Sequence, residues 1–562
     1  MPSVRSSAPR SGARRALPRP LRALVVGAAL ASAAASAAVL PGAAAAADEP
    51  AGTALSGRLV QAWAEAHPDA AAGSAPDGPV AWVEPDEGAA VRIDSAAVAD
   101  VPTGATVELT VSAADGDGTD AGTADAPLEV LEKQVVTLPT AAPGPADPAG
   151  LTNRVTVVLV RPGGVPADRV TEAQVVDAVN GPVADFWSEQ SGGSVRLGVV
   201  ASRGWTTTTA GCADAGALWD EVADAVDFVP GDGNHLLLYL SGAARGCSYA
   251  LAEVGGATTS GGRLYVQTTL PSALAHEFGH NFGLGHSSAE QCDGAVEDTA
   301  CRTVAYRDLY DVMGGSWGRL GSLTAPQADR INLLPAAQTR SLTVHDAPGT
   351  TTLAPLSGRT GTRAVRLTDA EGVDYWLEYR TASGRDEWLG TGEDARRLDA
   401  GVLLRRAGAM PDTSVLLDGT PGPAAGWDAD YQAALPVGVA VPVSGGDFSI
   451  LVQGVTAAGA VLTVTPTPPA AGAAAAAEPA PAGTGTGTVM SADGALPNDA
   501  VAPAAAGTPE LDGRSLRTAP ALRPAADSST GSPFLVAAAG ALVAASALLV
   551  VRRVRRPRPL TR

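Results

Sequence analysis

Aromatic side chains make up only 4% of this 562-residue chain, while glycine and proline number 65 and 43. A sequence so short of large residues cannot be packed core throughout, so compact domains joined by long unstructured stretches are expected. Cysteine is equally scarce. Its four copies, Cys212, Cys247, Cys292 and Cys301, fall within one 90-residue stretch and contain no Cys-x-x-Cys spacing, which argues against a cysteine metal cluster. In an oxidising compartment an even count favours two disulfides. Three pairings are possible, and nearness in the chain favours Cys212–Cys247 and Cys292–Cys301. Basic residues are also few away from the two ends. Residues 48–551 carry 27 of them against 59 acidic ones, a net charge of −32 that repels nucleic acid and anionic lipid.

The ends have no acidic residue at all. Residues 1–47 open with a basic region (Arg5, Arg10, Arg14, Arg15, Arg19, Arg22), continue as an apolar run from Ala23 to Leu40, and reach small residues at Ala45-Ala46-Ala47. That order is the pattern of a cleaved signal peptide. Near the other end, Phe534 to Val551 gives 18 residues without a charge, followed at once by Arg552, Arg553, Arg555 and Arg556. At about 1.5 Å per residue such a helix crosses most of a hydrocarbon core of about 30 Å. The positive-inside rule puts everything before it outside the cell. No Leu-Pro-x-Thr-Gly signal precedes the run, so a transmembrane helix over 533–551 with a basic cytoplasmic tail at 552–562 is expected in place of covalent wall attachment.

Between the ends the pattern changes three times. Residues 48–150 mix a helical spacing over Leu55 to Glu65 with strand-like runs at Ala105 to Val111 and Leu128 to Val136, and are read as a propeptide or an N-terminal accessory region. Their acidic run from Asp115 to Asp125 lacks the glycine and closing glutamate of a calcium loop and reads as a solvated loop. Residues 151–338 alternate strand and helix: strands at Val155 to Val160, Ser194 to Val200, His235 to Leu240 and Arg263 to Thr268, and helices at Thr171 to Glu189 and Leu218 to Phe228. This predicts an α/β (α+β) domain with a twisted sheet backing a long helix. Residues 339–465 turn to short β runs, including Tyr375 to Tyr379 and Phe448 to Val452, as an antiparallel β-sandwich or similar all-β domain would. Residues 466–532, rich in Pro, Ala and Gly, read as a disordered stalk.

The chain has only six histidines, yet three stand in an 11-residue window, His276-Glu277-Phe278-Gly279-His280-Asn281-Phe282-Gly283-Leu284-Gly285-His286. His276 and His280 are one helical turn apart, so their imidazoles leave the same face and can hold one ion. Glu277, beside the first ligand, can reach a water at that ion without being a ligand. Gly283 suits the sharp turn that brings His286 back, because such a turn often needs φ > 0. Three histidines with an open fourth position describe a catalytic zinc site, whereas a structural site closes with a fourth protein ligand.

His-Glu-x-x-His-x-x-Gly-x-x-His is the zinc-binding signature of metzincins, and His276, Glu277, His280, Gly283 and His286 meet every fixed position. The run Tyr310-Asp311-Val312-Met313-Gly314-Gly315, 27 residues past His286 at Met313, resembles the Met-turn of that clan, in which a methionine lies beneath the ligands. The stretch is most similar to gametolysin-type and related secreted bacterial peptidases, and Tyr375 to Arg380 is similar to a tail domain of such enzymes. No tyrosine stands two residues after Met313, so the extra tyrosine ligand of some members is absent from that place. Residues 48–150 hold no cysteine, which excludes a cysteine switch.

The resemblance implies one catalytic Zn2+ held by His276, His280 and His286, and a zinc-dependent endopeptidase acting on protein or peptide substrates. Glu277 would take a proton from the attacking water and return it to the leaving amine. The strand Arg263 to Thr268, expected at a sheet edge, would bind extended substrate and help hold the oxyanion. The protein is expected to be a monomer at the cell surface, bound to the membrane through its C-terminal helix and without a nucleic-acid partner. The alternative is a catalytically silent adhesion or binding protein that keeps the same domain. His235 reads as a strand-entry residue, Asp311 as either a turn former or a support near the zinc ligands, and Trp317 as either packing or pocket lining.

Overall fold

The segment with helical spacing, Leu55 to Glu65, is a strand in the computed structural model of this chain, which describes residues 52–66, 78–112, 127–139, 150–316, 319–391, 394 and 396–468. This strand, β1 (Thr53–Glu65), puts Val60, Ala62 and Ala64 on one face and Leu59, Trp63 and Glu65 on the other. Both faces are covered, so its apolar residues do not alternate with polar ones and the run mimics a helix in sequence. The expected signal peptide, the transmembrane helix, the tail, all but the first residues of the stalk, the acidic run and Trp317 lie outside the described residues. Among the described residues no helix is long and apolar enough to cross a membrane.

The fold is mixed α/β, built mostly of sheet. Ten strands form the first sheet: β1, β2 (Val80–Glu84), β3 (Val91–Ile93), β4 (Thr106–Val111), β5 (Val130–Thr137), β6 (Asn153–Arg161), β7 (Leu197–Thr207), β8 (Asn234–Leu240), β9 (Ala250–Glu253) and β10 (Gly262–Val266). Along its main path the order is β3-β2-β1-β9-β10-β8-β6-β7, with β4 joined to β1 and β5 to β4. The N-terminal region and the α/β region therefore share one sheet, and β1 is the join.

Helices lie on both faces of that sheet. One core gathers Val155, Val157 and Leu159 of β6 with α1 (Glu172–Ala178), α2 (Ala184–Gln190) and α4 (Pro271–Asn281); the other gathers Val158 and Val160 with α3 (Ala215–Ala225). The helix expected over Thr171 to Glu189 is α1 and α2, joined by a wider turn at Val179–Val183 that contains Gly181 and Pro182. Proline lacks an N–H and crowds the preceding carbonyl, which loosens the helix at that turn. Its expected apolar face, Val175, Val179, Val183 and Phe186, is fully buried. The strand expected at a sheet edge is β10, and it lies inside, parallel to β8 on one side and antiparallel to β9 on the other.

The second half forms two further sheets. A seven-stranded sheet runs β12 (Cys301–Val304), β11 (His286–Cys292), β18 (Asp412–Leu417), β17 (Gly401–Ala407), β16 (Asp374–Arg380), β15 (Ala364–Thr368), β13 (Thr339–Thr343). A four-stranded sheet runs β14 (Gly349–Leu353), β21 (Gly459–Pro466), β20 (Phe448–Thr456), β19 (Ala440–Val443). The two sheets meet in one core, where Val365, Leu377 and Leu404 pack with Phe448, Ile450 and Leu462. The larger sheet is not wholly antiparallel, because β11–β18 and β13–β15 are parallel pairs. It also takes β11 and β12 from before residue 338 and the rest from after it. Disulfides join Cys212 to Cys247 and Cys292 to Cys301, the pairing expected from nearness in the chain.

Candidate metal centre

Helix α4 begins at Pro271, whose fixed φ and missing N–H suit a first helical turn. It carries His276, Glu277 and His280, all buried. The helix stops at Asn281, and Gly283 adopts φ +96°, the left-handed conformation that the motif required of it. A Cβ at Gly283 would also meet the Gly255 carbonyl oxygen at 2.9 Å. Three residues later the chain enters β11, and the His286 N–H donates to the Pro411 carbonyl at 2.8 Å. Pairing of β11 with β18 thus sets the third histidine, so the C-terminal β region helps to build the centre.

The three imidazoles converge on one point. His276 Nδ1 donates to the Val312 carbonyl at 2.8 Å, and His280 Nδ1 donates to the Leu284 carbonyl at 2.8 Å. A proton fixed on Nδ1 leaves the Nε2 lone pair of each ring facing inward, the tautomer a metal ligand needs. Met313 lies beneath: its sulfur packs against Gly279 on the underside of α4, where a Cβ would collide with it. Asp311 holds that turn, accepting from Met313 N at 2.7 Å and Thr324 N at 2.6 Å, and burial pushes its carboxyl up to about 6.

A fourth side chain completes the group, and sequence reasoning missed it. Glu65, the last residue of β1, puts Oε1 at 3.3 Å from His276 Nε2, 3.3 Å from His280 Nε2 and 3.0 Å from His286 Nε2. The donor atoms of all four residues lie within 4.8 Å of one another and are buried. Burial raises the Glu65 carboxyl, but His286 and His276 outweigh it and hold it well below its ordinary value. Burial, the largest influence, takes His286 down to about 3 despite the opposing charge of Glu65. The inward lone pairs of His276 and His280, with His286 Nε2 and a carboxylate oxygen beside them, form a compact buried donor set that a cation would hold together, so the residues fit a metal ion. Nothing in the local sequence of Glu65 marks it.

Glu277 sits beside the group without joining it. Its Oε2 is buried and has no hydrogen-bond partner among the described residues. Burial, then the nearby charge of Glu65, pushes its carboxyl well above the ordinary value. Tyr306 is a second residue the motif did not reveal, seven positions before Met313. Its ring centroid is 4.0 Å from that of His286, and its hydroxyl is hydrogen-bonded to Glu65 and accepts from Trp63 Nε1 at 3.2 Å. Burial keeps this phenol protonated far above its usual range.

Of the other sequence candidates, His235 is a core residue. Its Nδ1 donates to Asn281 Oδ1 at 2.9 Å, and Nε2 is 3.0 Å from the Asn153 side-chain amide. Asn281 in turn donates to the Glu253 carbonyl at 2.8 Å, so β8 and β9 fasten the end of α4. Glu290 lies near Cys292 and Cys301, but both thiols are spent in a disulfide and leave no thiolate for a metal.

No protein-family model and no curated protein matches this chain. Among solved structures, one described as "Structure of a chaperone-substrate complex" is 15% identical, aligns over 44% of this chain and 35% of its own, and has a TM-score of 0.20. At that score the likeness carries no argument about the fold.

Proposed function

We infer that the protein is a zinc-dependent endopeptidase whose metal is held by His276, His280 and His286, with Glu277 as general base. One observation carries the reading: Glu277 Oε2 is buried without a hydrogen-bond partner among the described residues, next to His276 in the helix and near enough to Glu65 of the centre to feel its charge. A purely structural site has no use for such a carboxylate, which costs free energy to bury. When bound, zinc supplies Lewis-acid polarisation and lowers the pKa of a coordinated water.

The chain's own groups do the rest. Glu277 Oε2 accepts a proton from the attacking water and carries it to the leaving amine; its raised proton affinity suits both halves of that transfer. Tyr306 Oη, kept protonated by burial, is placed to donate to the oxyanion that develops at the scissile carbonyl. Met313 and the Val312 carbonyl set the floor of the centre and the orientation of His276. The metzincin-like architecture belongs to this proposal, as does an extracellular, membrane-tethered location, which rests on the sequence of the two ends alone.

Casein hydrolysis by the zinc-loaded full chain tests the reading, before and after limited trypsin treatment quenched with a serine-protease inhibitor. Cleavage that chelator abolishes and Glu277→Gln lacks is expected. Cleavage unaffected by either overturns the reading, and zinc-loaded protein that cleaves in neither form favours a binding protein instead.

A further inference from the structure

We propose that Glu65 is a fourth metal ligand, supplied by strand β1, and that β1 lies in the substrate cleft and keeps the centre latent until it is withdrawn. The inference rests on the three-histidine centre being a zinc site. Its starting point is the placement of one carboxylate. Glu65 Oε1 stands within 3.3 Å of all three Nε2 atoms, at the position a catalytic zinc leaves open to water or substrate.

The approach of the strand is as informative as its end. Ala62 to Glu65 pair antiparallel with Glu253 to Ala250 of β9, adding β1 to the sheet beside the centre as an extended peptide would add. Alternation along β1 turns Trp63 and Glu65 to the same side. The Trp63 ring lies against His286, centroids 4.3 Å apart, and Trp63 is 2% exposed. Substrate and β1 therefore compete for one edge and one coordination position.

Charge holds the strand in place. Arg58 of β1 pairs with Glu84 of β2 at 2.8 Å and with Glu253 of β9 at 3.4 Å. Arg263 of β10, almost wholly buried, pairs with the same two carboxylates, at 2.5 Å and 2.7 Å. These contacts tie β1 and β2 to β9 and β10, so the carboxylate is delivered by a fixed strand. Glu277, Tyr306 and the histidines stay assembled beneath it. Removing β1 opens the centre without rebuilding it.

The test uses the full-length protein loaded with cobalt(II), which reports ligand geometry in its visible spectrum, and with zinc. Glu65→Gln is compared with wild type and with Glu65→Asp, which keeps the charge but shortens the reach. Circular dichroism verifies that each variant is folded. The wild type is expected to give a four-ligand spectrum and slow zinc loss to chelator. Glu65→Gln is expected to shift the spectrum, lose zinc at least about tenfold faster, and cleave casein without trypsin treatment. X-ray absorption at the zinc edge of the wild type, which needs no variant, should show one carboxylate oxygen beside three nitrogens. Cobalt bound with the same spectrum and chelator rate in wild type and Glu65→Gln, or a zinc edge without the carboxylate, overturns the latch and leaves the metal centre standing. A wild type that takes up neither metal overturns both.

Discussion

Replacing Glu378 by alanine should unfold this protein far more readily than any surface change on the same strand. Glu378 of β16 is wholly buried, and its Oε1 accepts from Arg380 Nε and from Arg405 Nε, each at 2.9 Å. Its Oε2 accepts from Ala325 N at 2.7 Å. Arg405 reaches on to Asp308, which accepts from Ser287 Oγ at 2.7 Å, next to His286. Alanine leaves two buried guanidinium groups short of a partner and one buried N–H unsatisfied. Breaking a buried ion pair from one side costs about 3–5 kcal/mol and an orphaned N–H about 1–3 kcal/mol. The terms overlap, so we expect about 4 kcal/mol. Asp374→Ala, on the same strand, is the control: its pair with Arg366 is partly exposed, at 39% and 21%, and should matter by less than about 1 kcal/mol. Urea unfolding followed by tryptophan fluorescence measures both, with buried Trp376 as a reporter between them. A loss below about 1 kcal/mol for Glu378→Ala, or no more than for Asp374→Ala, would refute the reasoning.

Burial depresses His235 from 6.5 to about 4, so from pH 6.5 downward the unfolded chain takes up a proton that the folded chain refuses. Its contribution is intact above pH 6.5, is lost as pH falls, and levels off below about 4 at a deficit of about 3 kcal/mol. The difference in urea midpoint between wild type and His235→Gln, followed from pH 7.5 to 4, should trace that window; a difference that is constant over the range contradicts it. Gly279→Ala drives a methyl into the Met313 sulfur and should cost about 1–3 kcal/mol of stability, partly recovered by Met313→Ala in the same chain. Equal melting temperatures for wild type and Gly279→Ala would mean the floor is not packed as described. Tyr306→Phe keeps the ring against His286 but removes the hydroxyl. It should lower kcat on a peptide substrate on the order of 10²-fold at unchanged zinc content; unchanged kcat removes Tyr306 from the chemistry.

His276, Glu277, His280 and Gly283 are legible in the sequence because one short helix and the turn after it carry them, so spacing along the chain translates directly into spacing in space, and His286 and Met313 are legible only because each stands at a fixed place in a recognisable motif. The apolar face of Val175, Val179, Val183 and Phe186 is legible because helical spacing carries it too. Glu65 is not. It reaches the centre from 211 positions before His276, through pairing of β1 with β9, and no local pattern encodes which strand lies beside which. Strand β1 is obscured further because both its faces are buried and its apolar spacing fits a helix. Tyr306 escapes notice because the Met-turn pattern looks for a tyrosine after Met313 and not before it. Glu378 and Arg380 sit in a strand whose two faces pack into different cores, so their burial is invisible until Arg405 and Asp308 are seen opposite them.

The most direct test of the metal-centre account is a paired measurement of zinc content and casein hydrolysis on trypsin-treated wild type and Glu277→Gln. The account predicts one zinc per chain in both proteins and a loss of hydrolysis of about 10²-fold or more in the variant, because Glu277 holds the proton and not the metal. Hydrolysis by Glu277→Gln at the wild-type rate, or folded wild type without zinc, would contradict it.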